Sequence, residues 1–442
     1  MDDKRILLPE KFIESVKELL GDELDEFVAS YGKERYYGLR RNPLKYSREE
    51  FEKEMPFALE PVAWAEEGYY YKADEQPGKS PLHEGGAYYI QEPSAMSAVA
   101  MLEPQPGDVV LDLCAAPGGK STQIAGRMAG KGLLVSNEYV KDRARILSSN
   151  IERMGVKNAL VLNESTDSLA GRFPSFFDKI LVDAPCSGEG MFRKEENAIP
   201  EWSLENTKMC HERQLMILND AASMLKAGGT LVYSTCTFNS LENEGSVNEF
   251  LASHPEFSLV ESKRLWPHKD KGEGHFVAKF SKAGTLIKSD FSDFKLSKSS
   301  EKLSLEIKDF LANEIGVKPE IVEELMEGRT PVTFGDNIYL IPPKISSLQG
   351  LKVERAGLHI AVSKKNRLEP SHSLALCITS SDLTKKVDIS DEEAIKYLRG
   401  ETLNTDPDLK GWVVLFLRGC SLGFAKADRG ILKNHYPKGL RK

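Results

Sequence analysis

Between Ser94 and Phe280 short apolar runs alternate with amphipathic stretches, and this alternation restricts the fold more than any other feature of the chain. The runs are residues 109–113, 133–137, 160–162, 179–183 and 230–235, each suited to a parallel strand buried on both faces. Between them Val140, Ala144, Leu147, Ile151 and Met154 recur at steps of four and three before Gly155. Leu215, Leu218, Ala222 and Leu225 likewise share one face ahead of Gly228-Gly229. Asn239-Ser240-Leu241-Glu242 reads as a capping box for a helix that Pro255 ends. Such a pattern predicts an α/β fold, a Rossmann-like doubly wound sheet with helices on both faces.

At 442 residues the chain exceeds what one hydrophobic core usually serves, so further domains flank this one. Residues 1–93 read as a small α+β unit: a helix opened by Leu8-Pro9-Glu10, then aromatic strands at Tyr69-Tyr70-Tyr71 and Tyr88-Tyr89-Ile90. The alternating core spans 94–282. Residues 283–304, rich in Ser, Lys and Asp, read as a linker. Residues 305–442 resume with a helix carrying Ile307, Phe310, Leu311 and Ile315, then short strands at 337–341, 359–362 and 412–417, a mostly β region.

No apolar run approaches the ~18 residues that span a bilayer, and Met1-Asp2-Asp3-Lys4-Arg5 lacks a signal core, so a cytoplasmic protein is expected. Six cysteines are too sparse for a disulfide framework, and none shares metal-ligand spacing with the histidines, so no metal is expected. A net charge of −8 disfavours indiscriminate polyanion binding. Two basic stretches stand out: Arg35, Arg40 and Arg41 between Lys33 and Lys45, and the last 25 residues, with Arg418, Lys426, Arg429, Lys433, Lys438, Arg441 and Lys442 against Asp428 alone. Local patches on an acidic whole suit a grip on one particular RNA, although a solvated tail explains the charge equally well. Trp412, Phe416 and Phe424 among those cations suit structured RNA, yet each taken singly reads as core.

The chemistry concentrates at strand ends. The run at 109–113 enters a loop, Cys114-Ala115-Ala116-Pro117-Gly118-Gly119-Lys120, whose glycines let backbone amides approach a ligand. It is neither G-x-G-x-x-G nor a phosphate loop, and with Glu138 at the next strand end to accept from ribose hydroxyls it fits an S-adenosylmethionine site. Cys186, in Asp183-Ala184-Pro185-Cys186, and Cys236, in Ser234-Thr235-Cys236-Thr237, follow two more strands. If those strands are neighbours, their tips lie roughly 5 Å apart and one base can meet both thiols. Carbon 5 of cytosine is too weak a nucleophile to take a methyl group until a thiolate adds at carbon 6. Asp183 is placed to assist at ring N3, and the second cysteine to assist release. Cys114, Cys210, Cys377 and Cys420 have no such context and read as buried or surface thiols.

Cys114–Lys120, Asp183-Ala-Pro-Cys-Ser-Gly-Glu-Gly190 and Ser234-Thr-Cys-Thr237 resemble the Sun family of RNA (cytosine-5) methyltransferases. Gly38-Leu-Arg-Arg-Asn42, Tyr88-Tyr-Ile-Gln-Glu-Pro-Ser-Ala-Met96 and Gly272-Glu-Gly-His-Phe-Val-Ala278 are similar to its flanking motifs. Residues 397–401 and 432–441 resemble the PUA-like RNA-binding domain of its RsmF/YebU branch. The resemblance implies Cys236 as nucleophile, Cys186 in product release, and Lys120 with Asp183 lining the base pocket. It also implies that the loop 114–120, Glu138 and Asp183 hold S-adenosylmethionine. A family Asp at the adenine contact falls here on Ser165, with Asn163, Glu164 or Asp167 as substitutes. The implied substrate is ribosomal RNA of the small subunit, at a cytosine near the decoding region; a non-catalytic assembly factor or a methyltransferase for another RNA such as tRNA are the competing readings. DNA cytosine methyltransferases use the Pro-Cys thiol itself as nucleophile and lack the Thr-Cys-Thr partner.

Overall fold

A computed structural model describes residues 8–194, 197–287, 298–345, 347–365 and 367–442. Its centre is a sheet whose strands we number β1 (Val109–Asp112), β2 (Leu133–Asn137), β3 (Ala159–Leu162), β4 (Phe177–Asp183), β5 (Leu225–Thr235), β6 (Phe257–Leu265), β7 (His275–Lys282) and β8 (Val353–Ala356). Their spatial order is β6-β7-β5-β4-β1-β2-β3-β8. The five inner strands β5-β4-β1-β2-β3 run parallel, and β7 and β8 add antiparallel at either side. Order reverses at β1, so a crevice opens beyond the carboxyl ends of β1 and its neighbours.

Helices cover both faces because the strands have no polar face to show. Val109, Leu111, Val135, Leu160, Ile180 and Leu231 are fully buried on one side, Val110, Leu134, Val161, Leu181 and Val232 on the other. Helix α1 (Gly119–Arg127) and helix α2 (Lys141–Arg153) pack on the second face through Ile124, Ala125, Leu147 and Ile151. On the first face lies α3 (Leu204–Met224), through Leu218, Ala221 and Ala222. Leu225 does not complete that helix face: the backbone turns extended there, and Leu225 begins β5 as a fully buried strand residue paired with Phe177.

The N-terminal unit has a four-stranded antiparallel sheet ordered Glu60–Pro61, Gly68–Tyr71, Tyr37–Arg41 and Tyr88–Ile90. Its helices Glu10–Leu20 and Leu24–Ser30 plant Phe12 and Phe27 among Phe192, Trp202 and Phe238 of the central domain. These aromatics meet at ring separations of 5.2–5.9 Å, mostly edge to face, a geometry that adds to the stabilisation from buried area.

Of the expected linker 283–304, residues 288–297 lie outside the described residues, and 298–304 already belong to the helix Lys298–Asp309. Beyond it stand a four-stranded sheet, from Thr330–Phe334 to Arg367–Pro370, and a five-stranded one that includes Gly411–Leu417 and Cys420–Asp428. Between the four-stranded sheet's strands Asn337–Ile341 and Leu358–Lys364, β8 leaves this region altogether to pair with β3, Ala356 opposite Leu160. Trp412, Phe416 and Phe424 are all buried in the C-terminal core, which settles them as packing residues rather than base-stacking platforms. The first basic stretch also differs from a surface patch. Arg40 is fully buried and Arg41 nearly so, their donors turned onto Gln91, the Gly119 carbonyl, Thr122 and the Tyr46 carbonyl.

Candidate active site

Strands β4 and β5 are parallel neighbours with Asp183 opposite Ser234, so the two loops that follow them leave the sheet side by side. Cys186 Sγ and Cys236 Sγ stand 3.5 Å apart, both partly exposed. One residue further on, the hydroxyls of Ser187 and Thr237 are hydrogen-bonded at 2.8 Å, which pins the loops together. Asp183 closes the other side. Its Oδ1 accepts from Ser234 Oγ at 2.8 Å and its Oδ2 faces Lys120 Nζ, from the start of α1, at 2.8 Å. His275, the first residue of β7, brings Nε2 to 3.8 Å from Asp183 Oδ1. Residues distant in sequence thus converge at one sheet edge because β1, β4, β5 and β7 are adjacent.

The electrostatics divide the two thiols. Burial raises Asp183 and lowers Lys120 on its own, but each overrides that for the other: Lys120, then His275 and Ser234, hold Asp183 below the usual carboxylate range, and Asp183 holds Lys120 above the ordinary ammonium value. Cys236 lies within electrostatic reach of that ammonium. Cys186 instead is pushed well up by its hydrogen bond to Cys236, by burial, and by the charge of Glu242. Burial, reinforced by Lys120, lowers His275 to about 3, so its ring is neutral at any physiological pH. The sequence suggests Asp183 as an acid toward N3; in the free site it is a carboxylate.

Glu242 is where the capping-box reading fails. Asn239 Oδ1 does accept from Leu241 N at 2.9 Å, but the Glu242 side chain does not reach back to the helix start. It is fully buried, and Oε2 accepts from Ser187 N at 3.0 Å and Gln214 Nε2 at 2.9 Å, while Oε1 has no partner among the described residues. Gln214 Nε2 also donates to Pro185 O at 3.0 Å, so Gln214 and Glu242 together fix the backbone around Cys186. Gln214 carries no signal in the sequence, and there a buried Glu and an exposed capping Glu look alike; His275 shows only as part of the motif 272–278.

The loop after β1 lies along the same edge. Gly118 has φ +112°, a conformation that a side chain would strain, and a Cβ there would stand 3.1 Å from Leu147. Carbonyls of the loop are tied from outside: Ala116 O by Arg143, Pro117 O by Asn150, Gly119 O by Arg40. Ala115 N donates to Asn137 O at 2.8 Å, and the bond between Ala116 and Pro117 is cis. Cys114 is packed against the core with its thiol pushed up by burial. At the base of the loop Asp112 Oδ2 accepts from Ser121, while its fully buried Oδ1 has no partner among the described residues. Glu138, at the end of β2, is 5% exposed; Oε1 caps Val140 N and Oε2 faces Arg143 at 3.4 Å. A glycine cradle, an orphaned carboxyl oxygen and a second carboxylate at the next strand tip fit the amino-acid and ribose ends of an adenosyl cofactor.

Past β3 the four candidates for an adenine contact separate. Asn163 donates to the carbonyls of Glu138 and Tyr139, which keeps it beside Glu138. Glu164 is turned to Lys352 N at 2.7 Å, Ser165 precedes the helix Thr166–Arg172, and Asp167 is exposed and bonded back to Ser165. Among the described residues no three His, Cys, Asp or Glu side chains converge as metal ligands.

Family comparisons match the chain in four consecutive pieces: the N-terminal domain of 16S rRNA methyltransferase RsmF over residues 8–93, 16S rRNA methyltransferase RsmB/F over 99–281, the RsmF first C-terminal domain over 310–378, and the RsmF PUA domain over 384–442. Ribosomal RNA small subunit methyltransferase F of Vibrio cholerae is 33% identical, with 98% of each chain covered. The chain belongs to the RsmF family of 16S rRNA methyltransferases. A methyltransferase homolog protein from Pyrococcus horikoshii is 28% identical with a TM-score of 0.56, over 63% of this chain and 96% of its own. The crystal structure of NSun6 from the same organism with SFG, 24% identical, shares the fold at a TM-score of 0.56 over 63% and 99%. The RsmF family models extend past the central domain to both flanking regions, so the PUA-domain match covers the basic C-terminal stretch.

Proposed function

We propose that this RsmF-family enzyme methylates carbon 5 of a cytosine in small-subunit ribosomal RNA through a transient covalent bond to Cys236. The protein is an S-adenosylmethionine-dependent ribosomal RNA methyltransferase, and what is proposed is the atom it modifies, the residues that do so and the particle it meets. The reading rests on one observation above all: two thiols 3.5 Å apart at the ends of neighbouring strands, beside the Asp183 carboxylate that Lys120 pairs with.

Loop 114–120, Asp112 and Glu138 hold the cofactor, with Asn163 the residue best placed to extend the site past Glu138. When bound, S-adenosylmethionine supplies an electrophilic methyl group. Cys236, partly exposed, gives its proton to solvent water and its sulfur bonds to carbon 6 of the ring, which pushes electron density onto carbon 5. Lys120 hydrogen-bonds N3 and stabilises that density, while the Asp183 carboxylate accepts from the 4-amino group. The Ser234 hydroxyl, which donates to Asp183 Oδ1, orients it. Once carbon 5 is methylated, the Cys186 thiol gives its proton across the 3.5 Å contact to the departing Cys236 sulfur as the carbon 6–sulfur bond breaks, and the Cys186 thiolate so formed takes the remaining proton from carbon 5. Both thiols are then restored.

The substrate particle is the small subunit or its precursor, in the cytoplasm where subunits mature. Mapping 5-methylcytosine in ribosomal RNA with and without the protein identifies the target. With 30S particles from a strain lacking the enzyme, Cys236→Ala is expected to abolish transfer, and Cys186→Ala to accumulate an enzyme–RNA adduct that survives a denaturing gel. Near wild-type turnover by Cys236→Ala refutes the nucleophile. Absence of transfer to any ribosomal RNA or tRNA by the wild-type protein supports the assembly-factor reading instead.

A further inference from the structure

Beside the catalytic edge runs a second, open groove of about 150 Å³ between the N-terminal sheet and the loop ahead of β7. Arg35, Tyr36, Tyr37 and Tyr71 line it on one side, Lys194 and Glu273 on the other. Tyr36 is 41% exposed and meets Tyr70 edge to face at 6.0 Å, Tyr37 meets Tyr71 at 5.8 Å, and the Arg35 guanidinium lies 5.5 Å above Tyr37. At the bottom, Glu273 is 4% exposed, and neither carboxyl oxygen has a hydrogen-bond partner among the described residues; Arg193 Nε approaches Oε2 only to 3.4 Å. A buried carboxylate so poorly satisfied costs free energy unless a ligand supplies donors.

The groove shares a wall with the active site. Gly190 N donates to Cys236 O, and a Cβ on Gly190 would lie 2.9 Å from Cys236 O and 3.4 Å from Glu273 O. Two residues after Glu273, His275 stands at Asp183. On the far side Gln91 lines the groove and also packs on Gly119 of the cofactor loop.

Resting on the RNA methyl-transfer reading, we propose that this groove binds an unpaired nucleotide adjacent to the target cytosine, stacking its base on Tyr36 and taking an exocyclic amino group on Glu273. Single-stranded RNA is read by stacking on aromatic rings and by hydrogen bonds to splayed base edges, and a carboxylate selects amino donors over the carbonyls of uracil. Arg35 and Lys194 at the rim meet the backbone phosphates. Burial raises Glu273 to about 7 against the pull of Arg193, which an amino donor would reverse by favouring the charged form.

The test uses 30S particles reconstituted with RNA in which each nucleotide flanking the mapped cytosine is replaced by uridine in turn. Wild-type enzyme is expected to lose about ten-fold or more in KM at one flanking position, the scale of one base stack or base-edge contact. Glu273→Gln and Tyr36→Ala should raise KM comparably on the natural RNA with kcat within about two-fold, and Glu273→Gln should erase the discrimination at that position. Tyr36→Ala, at an exposed position, decides the matter if Glu273→Gln fails to fold. Active wild-type enzyme with unchanged KM in Tyr36→Ala, or a uniform loss with no positional preference, overturns the groove alone. Absence of transfer by the wild-type enzyme overturns the methyltransferase reading and the groove with it.

Discussion

Replacing Lys120 with Met tests whether the Lys120–Asp183 pair governs the site, because it removes one charge of a pair that is 10% and 30% exposed on its two side chains. Breaking a buried pair from one side costs ~3–5 kcal/mol. Asp183 keeps its bond from Ser234 and part of its solvent, so the expected loss at pH 7.5 is ~2–3 kcal/mol, a fall in melting temperature of about 4–12 °C. The pH dependence identifies the cause. In the wild type Asp183 sits below its ordinary 3.8, so its stabilisation is complete above that value and is lost only as pH falls further. Without Lys120 burial prevails, the folded-state pKa rises above 3.8, and the penalty grows as pH climbs through the new value. The gap between wild type and Lys120→Met, followed by calorimetry, should therefore narrow from pH 7.5 to pH 5. Adding Asp183→Asn should recover most of the loss. A gap independent of pH, or a double variant no better than the single one, would refute the charge argument.

Glu242→Gln is expected to fold, since its oxygen can take the place of Oε2 and its amide nitrogen the partnerless Oε1 position. Burial raises Glu242 to about 7, so ionising it costs stability as pH rises from its unfolded value through 7; relative to wild type the variant should gain in melting temperature at pH 8 and show no gain at pH 4. Gly118→Ala forces a side chain into φ +112° and against Leu147, and should cost ~1–2 kcal/mol and weaken S-adenosylmethionine binding measured by calorimetry. Arg40→Met frees the Gly119 carbonyl and should weaken cofactor binding without altering RNA affinity. Deleting residues 418–442 would remove strands Cys420–Asp428 and Ile431–Asn434 and unfold the C-terminal sheet, so the tail is tested by substitution: Arg429→Ser with Lys438→Ser, both at exposed positions, should reduce the slope of log affinity against log salt by about 0.7–0.9 for each phosphate these two side chains neutralise in the wild type.

What the sequence disclosed, and what it withheld, follows from where each residue's partner lies. Parallel strands buried on both faces must be apolar throughout, so β1 to β5 announce themselves, and with them the edge that carries Cys186 and Cys236. An edge strand has no such obligation. In β8, Glu354 and Arg355 interrupt the apolar pattern, and Arg355 is buried only because Glu152 and Ser373 receive its guanidinium. Arg40 deceives for the same reason: beside Arg41 and Arg35 it looks like a nucleic-acid contact, yet its donors end on Gln91, Gly119 and Thr122, two of them some eighty residues away. Glu242 carries a local motif that would place it at a helix start, but Ser187 and Gln214 offer it donors in a buried site, and those outweigh a surface cap. In each case a charged residue is buried by groups remote in the chain, and two of them, Arg40 and Glu242, hold the cofactor loop and the Cys186 loop in place. Periodicity finds the sheet; the polar contacts that turn a sheet edge into a site become visible only once the strands are side by side.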